Sequence, residues 1–138
     1  MRVEESIQIA RPPQEVWALV ADPENDPRWC RKVRSVEATG ESRWNLIHKP
    51  VPLRPAMELV VERVAADPPR RLALREEDDG SVFEVEYRLE EADGATRFTQ
   101  VSEFEWKRLP KILHRTFDRG VRRDVRGQLR ALKQLLEA

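Results

Sequence analysis

The sequence is poor in the residues from which many small sites are built. A single cysteine, Cys30, excludes an internal disulfide, and with only His48 and His114 for company it provides no ligand set for a structural zinc ion. No glycine-rich phosphate loop, nucleophile elbow or HExxH pattern occurs, which argues against nucleotide-binding, serine-hydrolase and zinc-protease chemistry. No apolar run approaches bilayer length, and MRVEESIQIA carries charges where a signal peptide needs an apolar stretch. The expectation is a soluble cytoplasmic protein with no metal, no cofactor and no DNA partner. Net charge is also lacking: 25 basic and 25 acidic side chains cancel, so nothing draws the chain as a whole to a polyanion.

What is present is unevenly placed. Ten of the basic residues, but only the acids Asp118 and Asp124, fall between Lys107 and Lys133, leaving an acidic body and a basic tail. Ten prolines against five glycines punctuate the chain sharply. At 138 residues it fits one domain, 1–138, with a core of ordinary size.

Val3, Ile7 and Ile9 alternate with polar neighbours as a strand that Pro12 and Pro13 must end. These prolines suit the first turn of a short helix over EVWALV, and Asp22-Pro23 repeats the signal for a second one, limited by Pro27. Strands follow over Val33 to Ala38 and Trp44 to His48, joined through Gly40, and KPVPLRP reads as loop or irregular edge. Two more strands flank the turn at Asp67-Pro68-Pro69. In SVFEVEYRLEE, Phe83, Val85, Tyr87 and Leu89 share a face, and Asp93-Gly94 turns the chain into TRFTQVSEFEW, where Thr96, Phe98, Gln100, Ser102, Phe104 and Trp106 share one. After Leu109-Pro110, a helix of about 25 residues gathers Leu113, Phe117, Val121, Val125 and Leu132 on one arc, with Arg115, Arg119, Arg122, Arg126, Arg130 and Lys133 opposite. The sum is α+β: six or seven antiparallel strands curling around a long C-terminal helix.

That order, strand, two short helices, antiparallel strands, long helix, resembles the helix-grip, START-like (SRPBCC) superfamily. The stretch SIQIARPPQEVWALVADPENDPRWCRKVRSVE is similar to the N-terminal signature of its bacterial polyketide cyclase/dehydrase and lipid-transport branch, through Glu15-Val16-Trp17, Asp22-Pro23 and Pro27-x-Trp29. The C-terminal VRGQLRALKQLLE is similar as well. Members often carry further glycines after the second strand; here Gly40 stands alone and Arg43-Trp44 follows. The resemblance implies a cavity between sheet and long helix, pinched by the proline-broken segment, and identifies no reaction.

Several residues are candidates for chemistry. Asp124 lies within the apolar arc of the last helix, so it must be paired, protonated or turned to a solvated cavity. Gly120, Gly127 and Gln128 fall beside it. Either this strip faces a ligand, or the glycines allow close sheet packing or a bend and Asp124 pairs with a strand arginine. Gln100 and Ser102 interrupt an aromatic face, either to orient a bound molecule or because a bulge turns them to solvent. Tyr87 adds a hydroxyl to the same cavity or simply fills core. His48 is either an acid or base turned inward or a strand-end residue in solvent; His114 reads as surface and Cys30 as packing.

The leading expectation is binding of a small hydrophobic molecule by Tyr87, Phe98, Gln100, Ser102, Phe104, Phe117, Gly120, Asp124 and Gln128. The first alternative is a polyketide cyclase or dehydrase using Asp124 or His48. The second is an interaction module whose basic helix meets anionic lipid or RNA through Arg119, Arg122 and Arg126.

Overall fold

A computed structural model describes residues 1–49, 56–78, 81–106 and 109–138, Trp106 in its backbone only. The proline-rich run read as loop lies, from position 50 to 55, outside the described residues. Strand β1 (Arg2–Ile9) leads into helix α1 (Pro13–Val20), whose first residue is a proline where no amide donor is needed, and into a 3-10 helix (Pro23–Arg28). The side chain of Asp22 caps the latter by accepting from the Glu24 amide at 3.0 Å. Then come β2 (Val33–Gly40), β3 (Arg43–His48), β4 (Met57–Asp67), β5 (Arg71–Glu77), β6 (Ser81–Ala92), β7 (Ala95–Trp106) and helix α2 (Lys111–Glu137).

All seven strands pair antiparallel in the order β1-β7-β6-β5-β4-β3-β2. Every neighbour is a hairpin partner except β1, which crosses from the start of the chain to β7. The β6–β7 hairpin turns at Asp93 and Gly94 with φ of 52° and 79°, the left-handed pair that this two-residue turn requires. Register shifts between Val33 and Ser35, Ala38 and Gly40, and Arg63 and Ala65 accompany the curl of the sheet.

Alternation decides what the concave face presents. Trp44 and Leu46 on β3, Leu59 and Val61 on β4, and Leu72 and Leu74 on β5 are buried. So are Val85, Tyr87 and Leu89 on β6 and Phe98 and Phe104 on β7, with Leu72 opposite Tyr87 and Tyr87 opposite Gln100. Val16, Leu19 and Val20 of α1 close one end of this core, and Val125, Leu129 and Leu132 of α2 close its β1 side. The convex face carries charge pairs such as Arg71 to Glu86 at 2.8 Å, of the exposed kind that contributes little to stability.

Candidate functional site

The two halves of α2 are seated differently. From Val125 onward the helix lies on β1: Arg126 meets Glu5 at 3.0 Å, Lys133 donates to the Gln8 carbonyl at 2.6 Å, and Glu137 accepts the Ala10 amide at 2.9 Å. From Lys111 to Asp124 no side chain is fully buried, and Leu113, on the inward arc, keeps 40% of its surface exposed. Phe117, Gly120, Val121, Asp124 and Gln128 are half-buried along the same arc. A methyl group added at Gly120 or Gly127 would meet nothing within 4 Å among the described residues, so close packing against the sheet strands is not what these glycines serve. The close-packing reading is thereby corrected.

Beneath this half the concave face turns polar. Asp124 is ion-paired with Lys32, from the turn before β2, both side chains 26% exposed. Pairing was anticipated, but with a strand arginine; the actual partner comes from the segment after the 3-10 helix, which strand phase does not place. His48 stands beside this pair, half-buried. Burial and the neighbouring Lys32 ammonium hold its pKa below the usual imidazole value, against a smaller upward pull from Asp124 and Asp78. Its Nδ1 is buried without a partner among the described residues. The solvent-facing reading of His48 therefore gives way to an inward one.

Gln100 and Ser102 also point inward, 5% and 3% exposed, joined by a long contact of 3.4 Å from Gln100 Nε2 to Ser102 Oγ, while Gln100 Oε1 has no partner among the described residues. The bulge reading fails because β6 and β7 pair without a register break from Ser81–Trp106 to Ala92–Ala95. Tyr87 is buried between aromatic rings, 5.9 Å from Trp29 and 5.2 Å from Phe98, and Phe83 stacks on Phe104 at 5.2 Å. The Trp29 indole Nε1 is a third buried polar atom without a partner among the described residues.

Sequence reasoning passed over two carboxyls. Asp26, in the 3-10 helix, is 7% exposed, and burial, Glu76 and Asp22 together push its pKa well above the ordinary carboxylate value. Glu76 occupies the next inward position after Leu72 and Leu74, and burial raises it to about 7. Cys30 and Tyr87 are driven up by burial and by these two carboxyls. A period-two count along RLALREE would have found Glu76. Nothing in the local pattern marks Asp26, since a single 3-10 turn has no readable face. Among the described residues no group of three or more histidines, cysteines or acids is gathered to hold a metal ion. No helix among them is long and apolar enough to cross a membrane.

The basic residues split in the same way as the helix. Arg126 is occupied by Glu5, whereas Lys111, His114, Arg115, Arg119 and Arg122, with Asp118, surround an open hollow of about 540 Å³ between α2 and Met1 at the start of β1.

Comparison with known proteins fits this architecture. Residues 1–137 match the family described as polyketide cyclase / dehydrase and lipid transport. A protein from Thermus thermophilus superposes with a TM-score of 0.82 at 18% identity, over 97% of this chain and 95% of that one. The Zhui aromatase/cyclase from a Streptomyces species gives 0.82 at 18% identity, over 99% and 93%. A START superfamily protein from Mycobacterium smegmatis gives 0.79 at 13% identity, over 99% and 97%. No curated protein matches the sequence. At such identities the structural likeness carries the fold alone, whereas the family match spans nearly every residue: the chain belongs to the polyketide cyclase / dehydrase and lipid transport family.

Proposed function

We propose that the protein binds a small, largely apolar molecule between the concave face of the sheet and the N-terminal half of α2. The observation that supports this most is the trio of buried polar atoms without partners among the described residues, Trp29 Nε1, His48 Nδ1 and Gln100 Oε1, in a core whose other buried side chains are mostly aliphatic and aromatic. Leaving one such atom unsatisfied costs about 1–3 kcal/mol, so an occupant that supplies partners is favoured over an empty core. Tyr87, Phe98, Gln100, Ser102 and Phe104 line the sheet side in this reading, and Phe117, Gly120 and Asp124 the helix side; Gln128, beyond Val125, belongs to the anchored half. The ligand would be mostly hydrocarbon or aromatic, with a few polar groups that fix its orientation. Native mass spectrometry of protein from its own cells, followed by organic extraction, tests this directly. A stoichiometric apolar compound is expected; an empty protein that no lipid, quinone or aromatic polyketide stabilises against heat would end the reading.

A cyclase or dehydrase is the second reading, favoured by Glu76. A carboxyl with a pKa of about 7 exchanges protons near neutral pH, as the removal and return of a proton next to a carbonyl demands. His48, held neutral beside Lys32 and Asp124, is a second group able to accept a proton. With a poly-β-ketone surrogate, Glu76→Gln, Asp124→Asn and His48→Gln would each abolish turnover while binding persists. Binding without turnover in the unaltered protein would confine it to the first reading.

A further inference from the structure

The outer face of the N-terminal half of α2 combines two features that a solvated helix face does not need together. Ile112 is 86% exposed, more than any other large hydrophobic side chain described as exposed. At helical spacing it shares a ridge with Arg115, Arg119 and Arg123, three, seven and eleven residues on, with Arg122 alongside. These cations also differ from those further along the helix. Arg126 and Lys133 are held by Glu5 and Glu137, and Arg123 has, among the described residues, only Asp124 at 3.9 Å with its own side chain 82% exposed. Among the described residues no carboxylate forms an ion pair with Lys111, Arg115, Arg119 or Arg122.

The chain is neutral as a whole, so this concentration of positive charge is local and complements a negative surface rather than serving solubility. Two classes of polyanion could meet it. Single-stranded RNA would call for exposed aromatic rings among the cations, but Phe117, the one Phe, Tyr or Trp from Lys111 to Arg123, is half-buried on the inward arc. An exposed aliphatic tip ringed by guanidinium groups instead suits the headgroup region of a bilayer, where the tip enters the acyl boundary and the cations stay among phosphates.

We infer that the outer face of α2 from Lys111 to Arg123 docks on anionic lipid bilayers, with Ile112 as the inserted side chain. This surface is separate from the concave face, and docking requires no ligand there. Arg126, which the sequence pattern alone assigns to the contact, is withdrawn from it by Glu5.

The test uses the full chain and sedimentation with vesicles of phosphatidylcholine, with and without phosphatidylglycerol. Binding is expected only with phosphatidylglycerol, and it should weaken strongly at roughly 0.5 M salt. Replacing Arg115, Arg119 and Arg122 together by Gln should lower partitioning roughly a hundredfold. Ile112→Ser should lower it roughly tenfold with the charges intact. Circular dichroism confirms that each variant folds, and Arg34→Gln on the exposed edge strand β2 serves as the charge control. Failure to bind phosphatidylglycerol vesicles, or binding that the triple variant and Arg34→Gln affect equally, would overturn the inference. So would single-stranded RNA binding that competes with vesicles and is indifferent to Ile112→Ser.

Discussion

The two halves of α2 carry the same amphipathic pattern and have different fates. In the C-terminal half, Val125, Leu129 and Leu132 are buried against β1, and ionic and backbone contacts pin the flanks. In the N-terminal half the arc continues through Leu113, Phe117 and Val121, yet none of them is fully buried, and the Asp124–Lys32 pair tethers the end of this half. Hydrophobic periodicity reports which side of a helix faces the protein, not how closely the protein approaches it. One half anchors; the other is seated less closely. The sharpest way to break this contrast is truncation in each half. Leu132→Ala should cost about 2–5 kcal/mol, because the site is sealed on all sides, and Leu113→Ala less than about 1 kcal/mol. Urea denaturation of the two variants reads both, and equal losses would mean that the halves are equally seated.

What lies beneath the covering half can be probed through Glu76. Its folded pKa of about 7 exceeds the ordinary value of 4.5, so the folded state holds a proton that the unfolded chain has released. Stability therefore falls as pH rises from 4.5 towards 7, and the full cost persists above that. Glu76→Gln removes the cost: it should stabilise the protein on the order of 3 kcal/mol above neutrality and have little effect in acid. Thermal melts across the range test the sign, and a variant less stable at high pH would mean that Glu76 is ionised and paired.

A smaller effect is expected at the tether. Lys32→Met leaves Asp124 without its cation in a half-buried setting and should cost about 1–2 kcal/mol. Hydrogen exchange should rise from 111 to 124 and stay unchanged from 125 to 137. Uniform acceleration along α2 would show that the helix moves as one body.

How much of this the sequence disclosed follows from the reach of each signal. The sheet was legible because alternation in SVFEVEYRLEE and TRFTQVSEFEW is long and clean, and Asp93-Gly94 fixes their register. The inward orientation of Tyr87, Gln100 and Ser102 followed from the same count. The partner of Asp124 was not legible, since Lys32 lies in a turn ninety-two positions away in sequence and belongs to no period. Asp26 was hidden for the same reason. The open space around Gly120 and Gly127 was beyond reach too, because a glycine at a crowded contact and a glycine beside a void look identical in sequence.

These glycines give the finest test of the comparison. Neither has a positive φ, and an added methyl at either would touch nothing within 4 Å among the described residues. Alanine at each position should therefore stabilise α2 by up to about 1 kcal/mol, through the lower backbone entropy of the unfolded chain and the better helix propensity. The stability gains should be alike in both halves; their consequences for an occupant should not. Gly120 belongs to the half that stands away from the sheet, so a methyl there intrudes on the proposed binding space and should weaken binding of whatever compound co-purifies. Gly127 follows Val125 in the anchored half, and its methyl should leave that affinity unchanged. If Gly127→Ala weakened binding as much as Gly120→Ala, the occupied space would extend past the anchor, and the division of α2 into anchor and cover would have to move towards its C-terminus.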